Sequence, residues 1–284
     1  MRPNFVKSQA LGNDFIIIED IDRRYELSPS TVKKLCDRHF GIGADGLMIV
    51  RHSNHADFFM LFYNSDGSKA EMCGNGIRCF VSYLFKHGLI SKQAIKIETA
   101  GGVREVFLML KEGKLEAVRV NMGRPTFNTP DIPMEAEAHE FINEVLEVDG
   151  EEIQATCLSV GNPHCVIFVD DLDKAPVSEQ GPIIEKLAVF PNRINVEFVQ
   201  VIKEDEIKVR VWERGVGETL ACGTGACAAI LAGVRNKLIS RKVKVNLPGG
   251  DLDIEWSDDD CVFLTGNSKE VFRGEFNMED FLDK

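Results

Sequence analysis

Cys73-Gly74-Asn75-Gly76 and Cys222-Gly223-Thr224-Gly225 are the stretches that decide how this chain is read. Each places a cysteine before a glycine turn and then an apolar, helix-like run. The two cysteines lie 149 positions apart, and the same offset joins other segments. It carries Gly12-Asn13 onto Gly161-Asn162, Gly46 onto Asn195 and Asn64 onto Glu213. The flanks follow: Phe62-Tyr63 falls on Val211-Trp212, and Ile16-Ile17-Ile18 on Cys165-Val166-Ile167. One gapless offset through separated segments points to a duplicated domain with one potentially reactive thiol per half.

Composition narrows the function classes. The chain has 284 residues, 44% hydrophobic and 27% charged, as expected of a globular protein with a sizeable core. A net charge of −12, with only short basic runs such as Lys33-Lys34 and Arg241-Lys242, disfavours nucleic acid or an anionic membrane as partner. No apolar stretch reaches membrane-spanning length, and nothing near Met1 resembles a signal peptide, so a cytoplasmic chain is expected. The eight cysteines include no C-x-x-C pair, and the closest spacings, Cys73…Cys79 and Cys222…Cys227, have no histidine nearby, so neither a disulfide scaffold nor a zinc site is expected. Cys36, Cys165 and Cys261 sit among apolar residues and read as buried, inert thiols.

The element order repeats. Val6 to Asp20 reads as two strands around a Gly12-Asn13-Asp14 turn, and Ser28-Pro29-Ser30 opens a helix to about Arg38. Strands follow at Leu47–Arg51 and Phe58–Tyr63, then a helix from the Cys73 motif to Gly88, then three β-rich runs to Asn121. Pro125, Pro130 and Pro133 mark a connector, and Glu135 to Val148 reads as a short helix. From Thr156 the first order recurs, with a helix near Ile183 to Ala188 and a second from the Cys222 motif to Asn236. Val271 to Phe276 reads as a last strand returning to the first half. A strand-heavy order with one long helix per half predicts an α+β fold. It would have two pseudo-symmetric domains, each a curved or barrel-like mixed sheet around a central helix, with the active site in the cleft between them. The expected halves are 1–122 with 271–284, and 123–270. Gly41, Gly43 and Gly46 match G-x-G-x-x-G, but a helix precedes them and a strand follows, the reverse of a dinucleotide site.

A thiol at a helix N-terminus meets unpaired N–H groups and the positive dipole end, which favour thiolate. Neighbouring glycines let a carboxylate approach the same donors. Two such termini facing one substrate suit inversion at the α-carbon of an amino acid: one thiolate removes the proton and the opposite thiol returns one. For a single motif, a structural cysteine beside a helix start would be the simpler reading. The shared offset favours a functional pair.

Together with Leu11-Gly12-Asn13-Asp14-Phe15, Gly41-Ile42-Gly43-Ala44-Asp45-Gly46, Gly161-Asn162-Pro163-His164 and Glu213-Arg214-Gly215, the two cysteine motifs resemble diaminopimelate epimerase over nearly the whole chain. The resemblance implies a cofactor-independent, metal-free isomerase that interconverts LL- and meso-2,6-diaminopimelate on the route to lysine and peptidoglycan. It implies that Cys73 and Cys222 are the acid/base thiols, with His164 and Glu213 tuning them. Gly74, Asn75, Gly223 and Thr224 would bind the reacting carboxylate. Asn13, Asn64, Asn162, Asn195, Glu213 and Arg214 would bind the other polar groups, Arg214 and Glu213 offering one charge of each sign. Some relatives carry glutamine where this chain has Gly46. A two-thiol racemase of the proline or histidine type is the nearest alternative, and a non-catalytic thiol redox or metal-binding protein a remote one. The oligomeric state is not legible in the sequence, a homodimer being one open expectation.

Overall fold

Short apolar runs of period two form the strands, and two predominantly apolar runs form the central helices. The structure is a computed structural model. It describes residues 2–70 and 72–282; Met1, Glu71, Asp283 and Lys284, all within the expected first half, lie outside the described residues. In chain order the elements are β1 (Asn4–Ala10), β2 (Asn13–Glu19), α1 (Pro29–Cys36), β3 (Gly46–Arg51), β4 (Phe58–Asn64), α2 (Gly74–Lys86), β5 (Ala94–Thr99), β6 (Gly102–Lys111) and β7 (Lys114–Gly123). There follow β8 (Glu144–Val148), β9 (Glu151–Ser159), β10 (Pro163–Phe168), α3 (Val177–Ile184), β11 (Asn195–Lys203), β12 (Glu206–Glu213) and β13 (Gly217–Thr219). The chain then runs through α4 (Gly223–Arg235), β14 (Lys242–Leu247), β15 (Gly250–Trp256), β16 (Val262–Gly266) and β17 (Lys269–Glu275). Two compact units divide it, Met1–Asn121 with Gly266–Lys284, and Met122–Thr265.

The first unit orders its strands β17-β1-β2-β3-β4-β5-β6-β7, with β2/β3 and β4/β5 parallel and the other pairs antiparallel. The second orders them β8-β9-β10-β11-β12-β14-β15-β16, with β10/β11 and β12/β14 parallel. The last strand, β17, thus plays beside β1 the part that β8 plays beside β9. Even the register repeats: Phe15 pairs with Gly46, and His164 with Asn195, each shifted by the same offset. After the second central helix one residue is missing, and the offset becomes 148. Ile97 opposite Arg104 then matches Val245 opposite Leu252.

Each sheet wraps one helix. Helix α2 packs against β1, β2, β3 and β17, and α4 against β9, β10, β11, β12 and β15. Gly74 to Leu84 of α2 are buried throughout, and α4 is buried from Gly223 to Gly233 apart from Thr224. α4 is apolar almost all round, which leaves it no stable place but an interior, and the buried Arg78 of α2 is satisfied there by hydrogen bonds to Gly74 O and Asn75 Oδ1. The outer sheet faces carry the short helices. In the first unit Val32, Leu35 and Cys36 of α1 pack on Ile16, Leu47 and Ile49. In the second, Val177 and Ile184 of α3 pack on Cys165, Val196 and Phe198.

Four sequence readings are corrected. The segment expected as a helix from Glu135 to Val148 contains no helix, and its end is β8, where Leu146 and Val148 alternate inward against β9. Pairing with a neighbouring strand overrides the helix-favouring glutamates around them. The helix expected near Ile183 ends there instead, spanning Val177–Ile184 with Pro182 inside its last turn. Cys261 is partly exposed rather than buried. The stretch after Glu213 also forms a short strand, β13, on β12 where only a loop is legible.

Both central helices end alike. Leu89 N–H bonds Leu84 O and Leu238 N–H bonds Gly233 O, each at 2.9 Å, closing the last turn over a left-handed residue. That residue is Gly88 at φ 72° in α2 and Lys237 at φ 59° in α4. A Cβ added at Gly88 meets nothing within 4 Å, so only backbone strain counts. Gly88→Ala should lower stability by about 1 kcal/mol, and Lys237→Gly should raise it by a similar amount. Urea unfolding of the two variants should therefore move in opposite directions.

Candidate active site

Each cysteine of the repeated motif is the N-cap of its central helix. Cys73 has extended backbone angles and its sulfur accepts from Gly76 N at 3.4 Å. Cys222 does the same with Gly225 N at 3.4 Å. Sulfur here takes the place of the usual cap oxygen, so the geometry that starts the helix also aims the thiol.

In the first unit, Cys73 Sγ lies 3.7 Å from Asn13 Oδ1, which also accepts from Asn75 Nδ2 at 3.4 Å. The Asn13 amide is held from behind by Asp45, whose Oδ2 accepts from Asn13 Nδ2 at 2.9 Å. Arg38 joins Asp45 to Asp14 through Nη2, 2.7 Å from a carboxylate oxygen of each. Lys7, almost wholly buried, bonds Asp14 at 2.7 Å and also donates to Gly43 O. Burial opposes ionisation of Asp14, but the Arg38 and Lys7 hydrogen bonds outweigh it and hold its carboxyl well below the usual range. Arg78 is fully buried under the motif, donating to Gly74 O at 2.9 Å and Asn75 Oδ1 at 3.0 Å. Asn64 ends β4 opposite Gly46, and its side chain donates to Ser68 Oγ at 3.0 Å within its own turn.

In the second unit, Cys222 Sγ is 3.4 Å from Thr224 Oγ1, which accepts from Asn162 Nδ2 at 3.2 Å. Asn162 Oδ1 faces His164 Nε2 at 3.0 Å, and His164 Nδ1 faces Glu197 Oε1 at 2.7 Å. His164 and Glu197 are both fully buried. Glu213 lies close enough to Cys222 for each to act on the other's charge, and it accepts from Thr219 Oγ1 at 2.5 Å. Burial pushes the Glu213 carboxyl up. Burial, then the Glu213 and Glu197 carboxylates, push the Cys222 thiol well above the ordinary range, against the pull of Thr224 and Gly225 N–H. The lowered thiol expected at a helix start is therefore reversed at Cys222, because desolvation outweighs the terminus.

The asparagine at 195 and Arg214 form a framework. Asn195 Nδ2 donates to Pro163 O at 2.8 Å and its Oδ1 accepts from Arg214 N at 2.9 Å. Glu185, also buried, accepts from Trp212 Nε1 at 2.8 Å and from Gly215 N at 2.9 Å, fixing the loop that carries Glu213 and Arg214. Gly46 is explained by packing, since a Cβ there would lie 2.6 Å from the Phe62 ring and 2.7 Å from Tyr63 O. Thus the structure gathers Asn13, Cys73, Gly74 and Asn75 in one unit, and Asn162, His164, Glu213, Cys222, Gly223 and Thr224 in the other.

Sequence reasoning missed Asp14, Arg38, Asp45, Arg78, Glu185 and Glu197. Glu197 carried a signal, being a carboxylate two residues after Asn195 in an otherwise apolar strand and so on the same sheet face. Among the described residues, no group of three or more His, Cys, Asp or Glu is placed to hold a metal ion, and no helix is long and apolar enough to cross a membrane.

Comparison with known proteins agrees with this architecture. The family model described as diaminopimelate epimerase matches residues 5–128 and 156–271. A diaminopimelate epimerase of Pelotomaculum thermopropionicum is 49% identical over 275 residues, covering 96% of this chain and 98% of that one. One from Moorella thermoacetica is 47% identical over 278 residues, covering 97% and 100%. Among solved structures, a phenazine biosynthesis protein of the PhzF family from Bacillus anthracis superposes with TM-score 0.70 at 17% identity, covering 98% of this chain and 99% of that one. A hydroxyproline epimerase from Agrobacterium vitis gives 0.71 at 11%, covering 97% and 91%. These two likenesses concern the fold, whereas the family match and the relatives span nearly the full length, and on them the chain belongs to the diaminopimelate epimerase family.

Proposed function

We infer that the chain interconverts LL- and meso-2,6-diaminopimelate by two-base proton transfer at the α-carbon, without a cofactor. The observation that carries this is the pair of N-capping thiols, one per repeat, each within a glycine turn that presents helix N–H groups. One thiol takes the α-proton as thiolate while the other returns a proton to the opposite face. Gly74-Asn75 and Gly223-Thr224 stabilise the negative charge that grows on the reacting carboxylate. Glu213, close enough to Cys222 to act on its charge and raised by burial, is suited to take the thiol proton and give it back. The S–H bond then breaks as an O–H bond forms on the carboxylate. His164 and Glu213 tune the thiols. Asn13, Asn64, Asn162, Asn195 and Arg214 bind the remaining polar groups of the substrate, Asn195 acting partly through the Arg214 backbone that it holds.

The direct test incubates the protein with LL-diaminopimelate, proline and histidine separately and follows inversion. Only the first should invert. Cys73→Ala and Cys222→Ala should each lower kcat by about two to four orders of magnitude or more. Near-normal turnover in either variant removes that residue from the mechanism. In deuterated water the early product should carry solvent deuterium while recovered substrate stays protonated, and early label in the substrate would oppose the two-base scheme.

The pH dependence follows from the signs of the shifts. The Glu213 carboxyl is raised, so activity should appear above the ordinary glutamate value of about 4.3. The Cys222 thiol is raised beside a raised Glu213, so the one proton that this pair passes between sulfur and carboxylate is held to higher pH, and the alkaline fall at its loss should lie above about 8.5. A bell-shaped profile of kcat/KM with both limbs displaced upward is expected. An alkaline limb near neutrality would contradict it.

A further inference from the structure

The repeat supplies its own control for the residues beneath the thiols. Phe15 and Met48 in the first unit occupy the positions of His164 and Glu197 in the second, one offset apart and in the same strand register. Both pairs lie under the first turn of their central helix. A Cβ on Gly76 would meet Met48 Sδ at 3.4 Å and Phe15 Cζ at 3.6 Å, and one on Gly225 would meet Glu197 Oε1 at 2.8 Å. Phenylalanine and methionine show that apolar filling suffices for this fold. A fully buried histidine–glutamate pair at the same place is costly to desolvate. Glu197 Oε2 also finds no protein hydrogen-bond partner among the described residues. Packing therefore does not account for the pair.

The hydrogen bonds around it have a direction. A carboxylate only accepts, so His164 Nδ1 donates to Glu197. Nε2 lies 3.0 Å from Asn162 Oδ1, and this bond runs from the ring to the amide in the form of His164 that carries a hydrogen on Nε2. The Asn162 amide then donates from Nδ2 to Thr224 Oγ1, leaving the Thr224 hydroxyl proton for Cys222 Sγ. The first unit arranges the matching groups differently. There the Asn13 carbonyl oxygen receives the Asn75 amide and faces the Cys73 sulfur as an acceptor.

We propose that Glu197 is a positioning residue that anchors His164 at the head of a polarised chain, His164–Asn162–Thr224, whose last donor ends on the Cys222 sulfur and favours its thiolate. Glu197 fixes the His164 ring through Nδ1, so that Nε2 points along the chain toward the sulfur. The chain counters the burial and the carboxylates that raise this thiol. When Glu213 takes the Cys222 proton, the negative sulfur left behind meets two donors, Thr224 Oγ1–H and Gly225 N–H. The repeat is thereby made unequal: Cys222 is prepared to carry negative charge, and Cys73 faces an acceptor that suits a protonated thiol. This deepens the two-thiol function above and rests on it for the role of Cys222.

The test reads the sulfur and not turnover, so it is separable from the choice of substrate. In a Cys73→Ala protein, the rate of Cys222 alkylation by iodoacetamide is followed against pH by peptide mass spectrometry. The titratable groups facing Cys222 are Glu213 on β12, Glu197 on β11 and His164 on β10, and Cys157 on β9 also feels the Glu197 charge. Glu197→Gln keeps the shape and removes the charge. If Glu197 acted only by repulsion, its loss would move the alkylation midpoint down. The polarised chain requires it to move up, by about one unit. Thr224→Val removes the last link, and in that background the effect of Glu197→Gln should largely vanish. A downward or absent shift overturns the proposal, as does an upward shift fully additive with Thr224→Val. Thermal unfolding of each variant identifies loss of fold, in which case Glu197→Asp, which keeps the charge, should leave the midpoint near that of the parent. A midpoint displaced as far in the Asp variant as in the Gln variant would overturn the role of the charge.

Discussion

A helix buried on every side can meet the outside only at its ends, and its first N–H groups must find acceptors there. In both units this requirement is met by a cysteine sulfur acting as the N-cap. The rest of the structure follows from that constraint. The sheet curls round the helix because α2 and α4 are buried on every side over most of their length. The glycines after each cysteine keep the first turn open to a bound anion, and the cap geometry holds each sulfur beside that turn. The proposed chemistry and the folding therefore share one element, with the candidate thiol also serving as the structural cap.

Duplication supplied two copies of this arrangement, and the copies then diverged around a preserved frame. Strand order, parallel pairs and register repeat almost residue for residue. What differs is the surroundings of the sulfur. The first unit supports Asn13 with a charged cluster of Lys7, Asp14, Arg38 and Asp45, and closes the space beside Gly46 with Phe62. The second places Asn195 at the position of Gly46, Glu213 at that of Asn64, and the His164–Glu197 pair where the first has Phe15 and Met48. Symmetric thiols suit proton transfer at two faces of one carbon, whereas a substrate whose two ends differ calls for unequal partners around them.

Much of this was legible from the residues. The Cys73 and Cys222 motifs, the offset of 149 and the apolar helical runs carried the duplication, the two central helices and the thiols. Strands with clean alternation, such as β14 and β15, were placed close to their true bounds. The errors fell where local pattern and tertiary partner disagree. Glu135 to Val148 has the composition of a helix and ends as a strand because β9 offers an edge to pair with. The start of α3 was missed because Pro182, inside its last turn, reads as a break.

The sequence by itself determined the repeat, the fold class and the two sulfur atoms, because duplication and hydrophobic period leave their marks at fixed spacings along the chain. Only the tertiary structure decided what each sulfur experiences. Arg78, Asp45, Glu185 and Glu197 reach their half-sites through neighbouring strands and buried side-chain bonds, which no linear spacing records. The thiol of Cys222 shows the consequence. A helix N-terminus lowers a thiol's pKa, yet burial beside Glu213 and Glu197 raises this one. Which influence prevails depends on how much water the folded chain excludes, and that is a property of packing in three dimensions.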